Sequence, residues 1–369
     1  MRIIVFCTAN LSVGSGSEVR ARLISLGLKY HGADVHVVCG GVPPEFVQKG
    51  IDFTTMKDGD SWYDTLNTAT KKFEPNVIIG VTEAGTDAVY QVARNFQIKY
   101  ILDLHGLGFV EILELGKGFG PRWPRIKRSL KWLSRVLFAD AVTIANPTLV
   151  SFIKPFNRHT IPVVGMTDTT YFSPEGKKLA LGETNRTQVL YAGNFYKWQG
   201  IDMLIEAIPL VLKENPHFEF TIVGSVGVNE EVMNAWKSTL PSKSVHFKQS
   251  VDFREVANYY RSADVLVIPR PFMFSTYLAI PQKLLDYMSC GKTIVATNLA
   301  PHRWALTPNA GVLCNPSAEG IANGLLLASD KSKRAKFGMN ARKIALDRFD
   351  HIKQTKKIFD YCESVTEKG

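Results

Sequence analysis

The chain alternates between short apolar runs and longer segments whose apolar residues recur at helical spacing. The runs RIIVF, DVHVVC, NVIIG, KYIL and DAVTIA fall within the first 145 residues, and an amphipathic segment near 17–31 separates the first two. Such runs are typical of buried strands, and strands that alternate with helices indicate βαβ units around a mostly parallel sheet. The pattern therefore predicts an α/β domain in this half of the chain.

A second series of the same kind follows, with the runs QVLYAG, FEFTIVG, SVHFK, DVLVI, TIVAT and GVLC. Prolines and a glycine interrupt polar sequence between the two series, near 155–188, and indicate a domain boundary there. Two series predict two Rossmann-like domains that face each other across a cleft, with ligands at the carboxyl ends of the strands. We expect an amino-terminal domain at 1–165, a carboxyl-terminal domain at 166–348, and a last helix at 349–369 that packs back toward the first domain.

One helix of the second series has features of an anion site. Pro281 suits the first turn of a helix, because its missing N–H would have no intrahelical partner there. The N–H groups of the next three residues then point out of the helix start, where the dipole favours a phosphate; these are Gln282, Lys283 and Leu284. Asp286 follows one turn later and can accept hydrogen bonds from a sugar hydroxyl. The alternative is an ordinary helix-to-strand connection with a surface aspartate.

Composition and length describe a globular chain. The 369 residues exceed one ordinary core, and 45% hydrophobic with 21% charged residues excludes a disordered protein. No apolar run is long enough to span a bilayer, and no signal peptide precedes the first strand, so we expect a cytoplasmic protein. The five cysteines lie far apart without metal-ligand spacing, which indicates buried thiols and no metal site.

The net charge of +10 is concentrated in residues 121–138, PRWPRIKRSLKWLSRVLF. Its cations and tryptophans include Trp123, Arg125, Arg128, Lys131 and Trp132, and its leucines recur at helical spacing. Tryptophans and cations can rest at an anionic lipid surface, which would place the protein on the cytoplasmic face of a membrane. Packing of the leucine stripe into the domain with a solvated basic face is the alternative. The segment could also bind nucleic acid, although no nucleic-acid-binding signature accompanies it.

Several motifs, taken in order, resemble the retaining glycosyltransferases of family 4, which have the GT-B fold. They are the glycine loop at 14–16, DLHG at 103–106, GMTDTTYFSP at 165–174, YAGNFYKWQGIDMLIEA at 191–207, FTIVGS at 220–225 and PQKLLDYMSCGKTIVAT at 281–297. The resemblance implies transfer of a sugar from a nucleotide diphosphate sugar to an acceptor hydroxyl, without a cofactor or an obligatory metal. It also implies that the amino-terminal domain binds the acceptor and the carboxyl-terminal domain the donor.

The resemblance assigns roles by position. Asp286 stands where relatives carry the glutamate that holds the ribose, and His105 stands where a histidine approaches the transferred sugar or the acceptor. Glu83 follows another strand and could contact the acceptor, although helix capping is an equal alternative. The donor-binding residues expected outside the anion-site helix are Gly14, Gly16, Gly193, Asn194, Gln199 and Gly224.

The chain departs from the family at two places. Leu278 replaces a glutamate eight residues before the ribose-binding acid, so the sugar contact is missing or comes from elsewhere. Asn194 and Gln199 stand where many relatives carry an arginine and a lysine beside the diphosphate. Lys197 and Arg270 are equal candidates for the cation that offsets charge on the leaving diphosphate.

The sequence therefore predicts a hexosyltransferase-like enzyme of GT-B architecture that acts on a lipid-linked or cell-surface glycan precursor. A non-catalytic nucleotide-sugar-binding protein of the same fold is the first alternative, and a basic nucleic-acid-binding protein the second. The sugar, the base, the acceptor and the oligomeric state cannot be read from these residues.

Overall fold

The computed structural model describes residues 1–12, 16–81, 85–104, 131–224 and 227–367, and these form two compact units. Unit 1 comprises Met1–Met166 and Phe349–Gly369, and unit 2 comprises Thr167–Arg348. In the described residues each unit contains one sheet whose paired strands are all parallel. The predicted α/β class, with two such domains, is confirmed.

The sheet of unit 1 has the order β3-β2-β1-β4-β5-β6-β7 over its described residues. Its strands are β1 (Arg2–Asn10), β2 (Asp34–Gly41), β3 (Asp52–Thr55), β4 (Val77–Val81), β5 (Lys99–Leu104), β6 (Ala141–Ile144) and β7 (Thr160–Pro162). Its helices are α1 (Gly16–Tyr30), α2 (Pro44–Gln48), α3 (Trp62–Phe73), α4 (Thr86–Phe96), α5 (helical residues 131–138), α6 (Pro147–Ile153) and α15 (His351–Thr366). A π-helix, Ala345–Phe349, precedes α15.

The sheet of unit 2 has the order β10-β9-β8-β11-β12-β13 over its described residues. Its strands are β8 (Thr187–Ala192), β9 (Phe218–Val223), β10 (Val245–Lys248), β11 (Val265–Ile268), β12 (Thr293–Thr297) and β13 (Val312–Cys314). Its helices are α7 (Ile201–Glu214), α8 (Glu230–Thr239), α9 (Phe253–Ser262), α10 (Phe274–Tyr277), α11 (Gln282–Ser289), α12 (Ala300–Ala305), α13 (Ala318–Leu327) and α14 (Lys331–Ile344), with a 3-10 turn at Lys197–Gln199.

The strands that sequence analysis missed are edge elements. β3 has no buried residue and β7 contains only three residues, none of them buried. An edge strand covered on few sides lacks the apolar run that marks a central strand such as β12, whose five residues are all buried. The predicted central strands are confirmed.

Helix α15 packs on α1 within unit 1. Gly27 on α1 makes room for this contact, since a Cβ there would lie 2.1 Å from Thr355 Oγ1. Hydrogen bonds also link α15 to the rest of the unit: for example, His31 Nε2 bonds the Ile352 carbonyl at 2.8 Å, and the Tyr361 hydroxyl donates to the Asp140 carbonyl at 2.7 Å.

The five cysteines are buried free thiols, as predicted. Within the part of the chain that the structure describes, no helix has the length and apolar character needed to cross a bilayer.

Candidate functional site

The strand order of unit 2 reverses direction between β8 and β11. From β8 the chain builds outward through β9 and β10, and then returns to the other side of β8 with β11 and β12. Loops after β8 and β11 therefore leave the sheet on opposite sides at neighbouring strand ends, where open α/β sheets bind ligands. The residues of this edge form the candidate site.

Two glycines bring the loops after β8 and β9 into contact. Gly193 has φ 148° and Gly224 has φ 150°, a region that residues with a side chain rarely adopt. A Cβ on Gly224 would lie 2.1 Å from the Gly193 carbonyl oxygen, and one on Gly193 would lie 2.3 Å from Lys283 Nζ. Both predicted glycines therefore lie where backbone and ammonium group approach too closely for any larger residue.

Helix α11 begins at Gln282, and Pro281 is its extended N-cap with φ −68° and ψ 130°. Pro281 therefore lies just before the first turn rather than within it, where its sequence context predicts it. The Leu284 N–H donates to the Pro281 carbonyl at 3.0 Å, so it drops out of the predicted anion-binding set. Gln282 and Lys283 remain in that set, and Gly291 closes the helix with φ 64°.

Asp286 is buried, with 4% of its surface exposed, rather than lying on a surface. Its Oδ1 accepts hydrogen bonds from Thr167 Oγ1 at 2.7 Å and from Gln282 Nε2 at 2.9 Å. The carboxylate thus joins the start of α11 to the first residue of unit 2. Removing the carboxylate would leave both donors unsatisfied, so Asp286 has a structural contribution that sequence analysis did not anticipate.

The Lys283 side chain runs inward from the first turn of α11. Although the residue as a whole is partly exposed, its Nζ is buried and has no hydrogen-bond partner among the described residues. Nζ lies 4.6 Å from the centroid of the Tyr191 ring, and the Tyr191 hydroxyl donates to the Asn194 carbonyl at 2.6 Å. Burial, and then the charge of Arg270, lower the pKa of Lys283 to about 7.

The two cations predicted as equal candidates differ in position. Lys197 is exposed in the 3-10 turn, between Tyr196 and Trp198, whose rings stack with centroids 4.4 Å apart. Arg270 is only partly exposed at the end of β11, and its charge acts on Lys283. The geometry therefore associates Arg270, rather than Lys197, with the start of α11.

The other predicted residues of the loop after β8 face outward to different degrees. Asn194 is exposed, whereas Gln199 is partly buried and its N–H donates to the Tyr196 carbonyl at 2.8 Å. Leu278, at the position of the missing glutamate, is the C-cap of the short helix α10.

An aromatic loop, residues 271–278, precedes α11. Thr276 is 2% exposed and fixes the loop, because its hydroxyl donates to the Pro271 carbonyl at 2.8 Å and accepts from the Met273 N–H at 3.0 Å. The loop presents two largely exposed rings, Phe272 and Phe274. A fixed loop with exposed aromatic rings provides an apolar surface next to the strand-end edge.

His302 is a buried group at this edge that sequence analysis missed. Its Nδ1 donates to the Thr297 carbonyl at 2.7 Å, and burial lowers its pKa to about 3, so the ring is neutral. Its Nε2 is then an acceptor, and it has no hydrogen-bond partner in the described residues. A histidine five residues after a strand gives no sequence signal of this kind.

In unit 1, several predicted residues lie outside the described residues: Gly14, Glu83, His105, Trp123, Arg125 and Arg128. Gly16 begins α1 and is exposed. The strand that leads to His105 ends at a buried ion pair, in which Arg20 Nε and Nη2 donate to the two oxygens of Asp103 at 2.7 and 2.6 Å. The partners lie 83 residues apart, so no local sequence pattern indicates the pair.

The described part of the basic segment packs into unit 1. Trp132 is 8% exposed, so its ring lies within the unit and does not face a headgroup boundary. Lys131 and Arg135 both form ion pairs with Asp87. For Lys131 and Trp132 the geometry favours the packing alternative over the membrane surface.

Among the residues that the structure describes, no group of three or more histidine, cysteine, aspartate or glutamate side chains is placed to hold a metal ion.

A family model described as "Glycosyl transferases group 1" matches residues 186–330. The matched residues lie within unit 2. This match confirms the resemblance predicted from the motifs, and it contains Gly193, Arg270, Lys283 and Asp286.

Known proteins are similar to this chain at low identity. An uncharacterized glycosyltransferase of Methanocaldococcus jannaschii is 26% identical over 50% of this chain and 48% of its own length. The chain thus aligns with about half the length of that relative. An uncharacterized glycosyltransferase of Haemophilus influenzae is 24% identical over 90% of this chain and 95% of its own length.

Solved structures share the fold. The structure of Anabaena HepE in complex with UDP-glucose is 16% identical, has a TM-score of 0.74, and covers 99% of this chain and 100% of HepE. The likeness establishes the GT-B architecture of this chain.

Proposed function

We propose that the chain is a retaining glycosyltransferase that transfers a sugar from a nucleotide diphosphate sugar to an acceptor hydroxyl. The observation that carries the proposal is the coincidence of the family match at 186–330 with the strand-end site of unit 2. HepE, which shares the fold, was solved with UDP-glucose, and this supports a nucleotide diphosphate sugar as the donor. In this proposal unit 2 binds the donor and unit 1 the acceptor.

The donor's diphosphate would lie at the start of α11, against Gly193 and Gly224, where only glycine permits a close backbone approach. The ribose would contact the carboxylate of Asp286, whose Oδ1 also accepts hydrogen bonds from Thr167 and Gln282. Arg270 would offset negative charge on the leaving diphosphate, and this favours transfer.

Retention follows, in this proposal, from attack by the acceptor hydroxyl on the face from which the diphosphate leaves. The C–O bond to the diphosphate breaks, a new bond forms to the acceptor oxygen, and the leaving phosphate oxygen takes the hydroxyl proton. His105 and Glu83 would orient the acceptor, and Gly14 and Gly16 would allow the backbone of unit 1 to approach the donor. We expect turnover to persist in the presence of a metal chelator.

We further propose a lipid-linked acceptor and a peripheral position on the cytoplasmic membrane face. The basic segment supports this, since Trp123, Arg125 and Arg128 occur in it without an acidic residue nearby. Leu137 and Phe138, at the end of α5, are 48% and 62% exposed and extend the apolar character of the segment. Lys131 and Trp132 have no part in this surface.

A panel of nucleotide sugars, offered with and without a membrane extract, tests the proposal by release of the nucleoside diphosphate. Turnover with one donor, only in the presence of extract, is the expected result. Turnover with a soluble acceptor alone would contradict the lipid acceptor but not the transfer. An inverted anomeric product would contradict retention.

Leu278 favours a second candidate, a non-catalytic nucleotide-sugar-binding protein, because a glutamate of the family is missing there. Donor binding without turnover on any acceptor would support this candidate. Binding of the protein to a heparin column, but not to anionic vesicles, would instead favour nucleic acid as the partner of the basic segment.

A further inference from the structure

We propose that the ammonium group of Lys283 is the side-chain cation that binds the donor's diphosphate. The inference rests on the proposed function and deepens it, because it assigns this contact to a residue outside the two loop positions where relatives carry their cations. Those positions are Asn194 and Gln199 in this chain, and neither can supply a charge.

The position of the ammonium group is the first argument. Lys283 is the second residue of α11, and its buried Nζ extends to the Tyr191 ring beside Gly193. The helix start, the glycine loop and the ammonium group therefore converge on one small region at the switch point of the sheet. An anion there would meet the positive end of the helix dipole and a cation together.

The second argument is the missing partner. A buried ammonium group normally lies against a carboxylate or several carbonyl groups, because burial without them is strongly unfavourable. Lys283 Nζ has no hydrogen-bond partner among the described residues, and its contact with the Tyr191 ring replaces only part of the lost hydration. The hydrogens of this group are therefore unused by the described residues at a place that water reaches poorly.

The charged and titratable groups around Lys283 also favour binding of an anion there. Arg270 adds like charge from the end of β11, and Tyr191 of β8 and Tyr287 of α11 stay neutral because burial raises their pKa values. Asp286 on the same helix is bonded to Thr167 and Gln282. The surroundings therefore disfavour the charged form of Lys283 until an anion arrives.

The lowered pKa of Lys283 predicts that the protein takes up protons when a diphosphate binds. Since the pKa of Lys283 is about 7 without a ligand, most of the lysine is neutral at mildly alkaline pH. A bound diphosphate raises that pKa, so the lysine takes up a proton from the solvent, up to about one per site. A lysine that merely packs against the tyrosine ring would show no such uptake.

Calorimetry on the full chain tests the inference. The probe is whichever of UDP, GDP, ADP, CDP and dTDP binds the wild type most tightly, titrated at mildly alkaline pH in Tris and in HEPES to count protons. The variant Lys283→Met keeps the apolar stem over the Tyr191 ring and removes the charge. The matched control is Lys292→Met, since Lys292 lies just beyond the other end of α11 and burial also lowers its pKa.

We expect Lys283→Met to bind the nucleotide about ten- to a hundredfold more weakly, the usual loss for a hydrogen bond to a charged group, and to lose the proton uptake. Lys292→Met should match the wild type in both. Unchanged affinity or undiminished proton uptake in Lys283→Met would overturn the inference while leaving the proposed function intact. If the folded wild type binds none of the five nucleotides, the proposed function fails and the inference with it. Lys283→Gln, with melting curves for each variant, provides a second test if the methionine variant folds poorly.

Discussion

The two units each place a buried cation near the carboxyl ends of their strands, but the surroundings of the two cations are opposite. In unit 1, Arg20 is 3% exposed and Asp103 is fully buried, and two hydrogen bonds join them while Thr143 also donates to the carboxylate. In unit 2, the Lys283 ammonium group is buried without a hydrogen-bond partner among the described residues. The ion pair in unit 1 holds the end of β5 in place. A buried cation without a hydrogen-bond partner is instead suited to bind a ligand of opposite charge.

The largest expected effect concerns the paired cation. Arg20→Met leaves the Asp103 carboxylate buried without its partner, so we expect the free energy of unfolding to fall by about 3–5 kcal/mol. Urea denaturation followed by circular dichroism measures this. The control is Arg254→Met, which removes the exposed pair with Asp252 and should leave the midpoint unchanged. Equal midpoints for the two variants would mean that the buried pair does not stabilise unit 1.

Removing the cation that lacks a hydrogen-bond partner in the described part of the chain should change the free energy of unfolding in the opposite direction. Lys283→Met replaces a buried charge by an apolar group, so we expect the free energy of unfolding to rise by about 1–4 kcal/mol near neutral pH. The folded pKa of about 7 lies below the ordinary value of 10.5, and between these values the unfolded chain binds more protons. Wild-type stability therefore rises with pH across this window.

The advantage of Lys283→Met should accordingly be complete below pH 7 and fade toward pH 10.5. Urea midpoints of both proteins at about pH 6.5 and about pH 9 measure the difference, and other titrating groups cancel in the comparison. A variant that is less stable than the wild type at both pH values would show that Lys283 stabilises the fold.

A glycine substitution tests the position of the ammonium group with a smaller effect. In Gly193→Ala the new Cβ would lie 2.3 Å from Lys283 Nζ and displace it, so we expect about tenfold weaker binding of the nucleoside diphosphate. Gly59→Ala is the control, because Gly59 also has a positive φ, 89°, but open space around it. Both variants carry backbone strain of about 1 kcal/mol. If calorimetry gives Gly193→Ala and Gly59→Ala the same nucleotide affinity, Gly193 is not part of the donor site.

The smallest change is Asp286→Asn, which keeps an oxygen for the Thr167 hydroxyl and removes the charge. We expect stability within about 1 kcal/mol of the wild type and about tenfold weaker nucleotide binding, if the carboxylate holds the ribose. Thr167→Val is the matched variant: it removes the hydrogen bond to Asp286, lowers stability by about 1 kcal/mol and should retain affinity. Full affinity in Asp286→Asn, measured by calorimetry, would contradict the ribose contact.

The fold was largely predictable, because central strands of parallel sheets are buried on both faces. TIVAT forms β12 with all five residues buried, and the amphipathic segment near 17–31 forms α1. The edge strands β3 and β7 were not predictable in this way. They cover little apolar surface and so leave little pattern in the sequence.

The candidate site was predictable only in part. Local chemistry indicated the helix start at Pro281, and the helix begins within a residue of that position. The unequal positions of Lys197 and Arg270 depend on which strand end each follows and how deeply its side chain lies. Motif spacing contains no such information.

The sequence by itself determined the α/β class, the order of the strands along the chain and the helix start at which an anion can bind. These depend on contacts between near neighbours, through hydrophobic period, proline geometry and glycine conformation. Only the tertiary structure decided that Arg20 meets Asp103, that Thr167 engages Asp286, and that Lys283 lies over Tyr191 without a hydrogen-bond partner. Each of these contacts joins residues more than 80 positions apart, and burial at the strand ends sets the charge state that results.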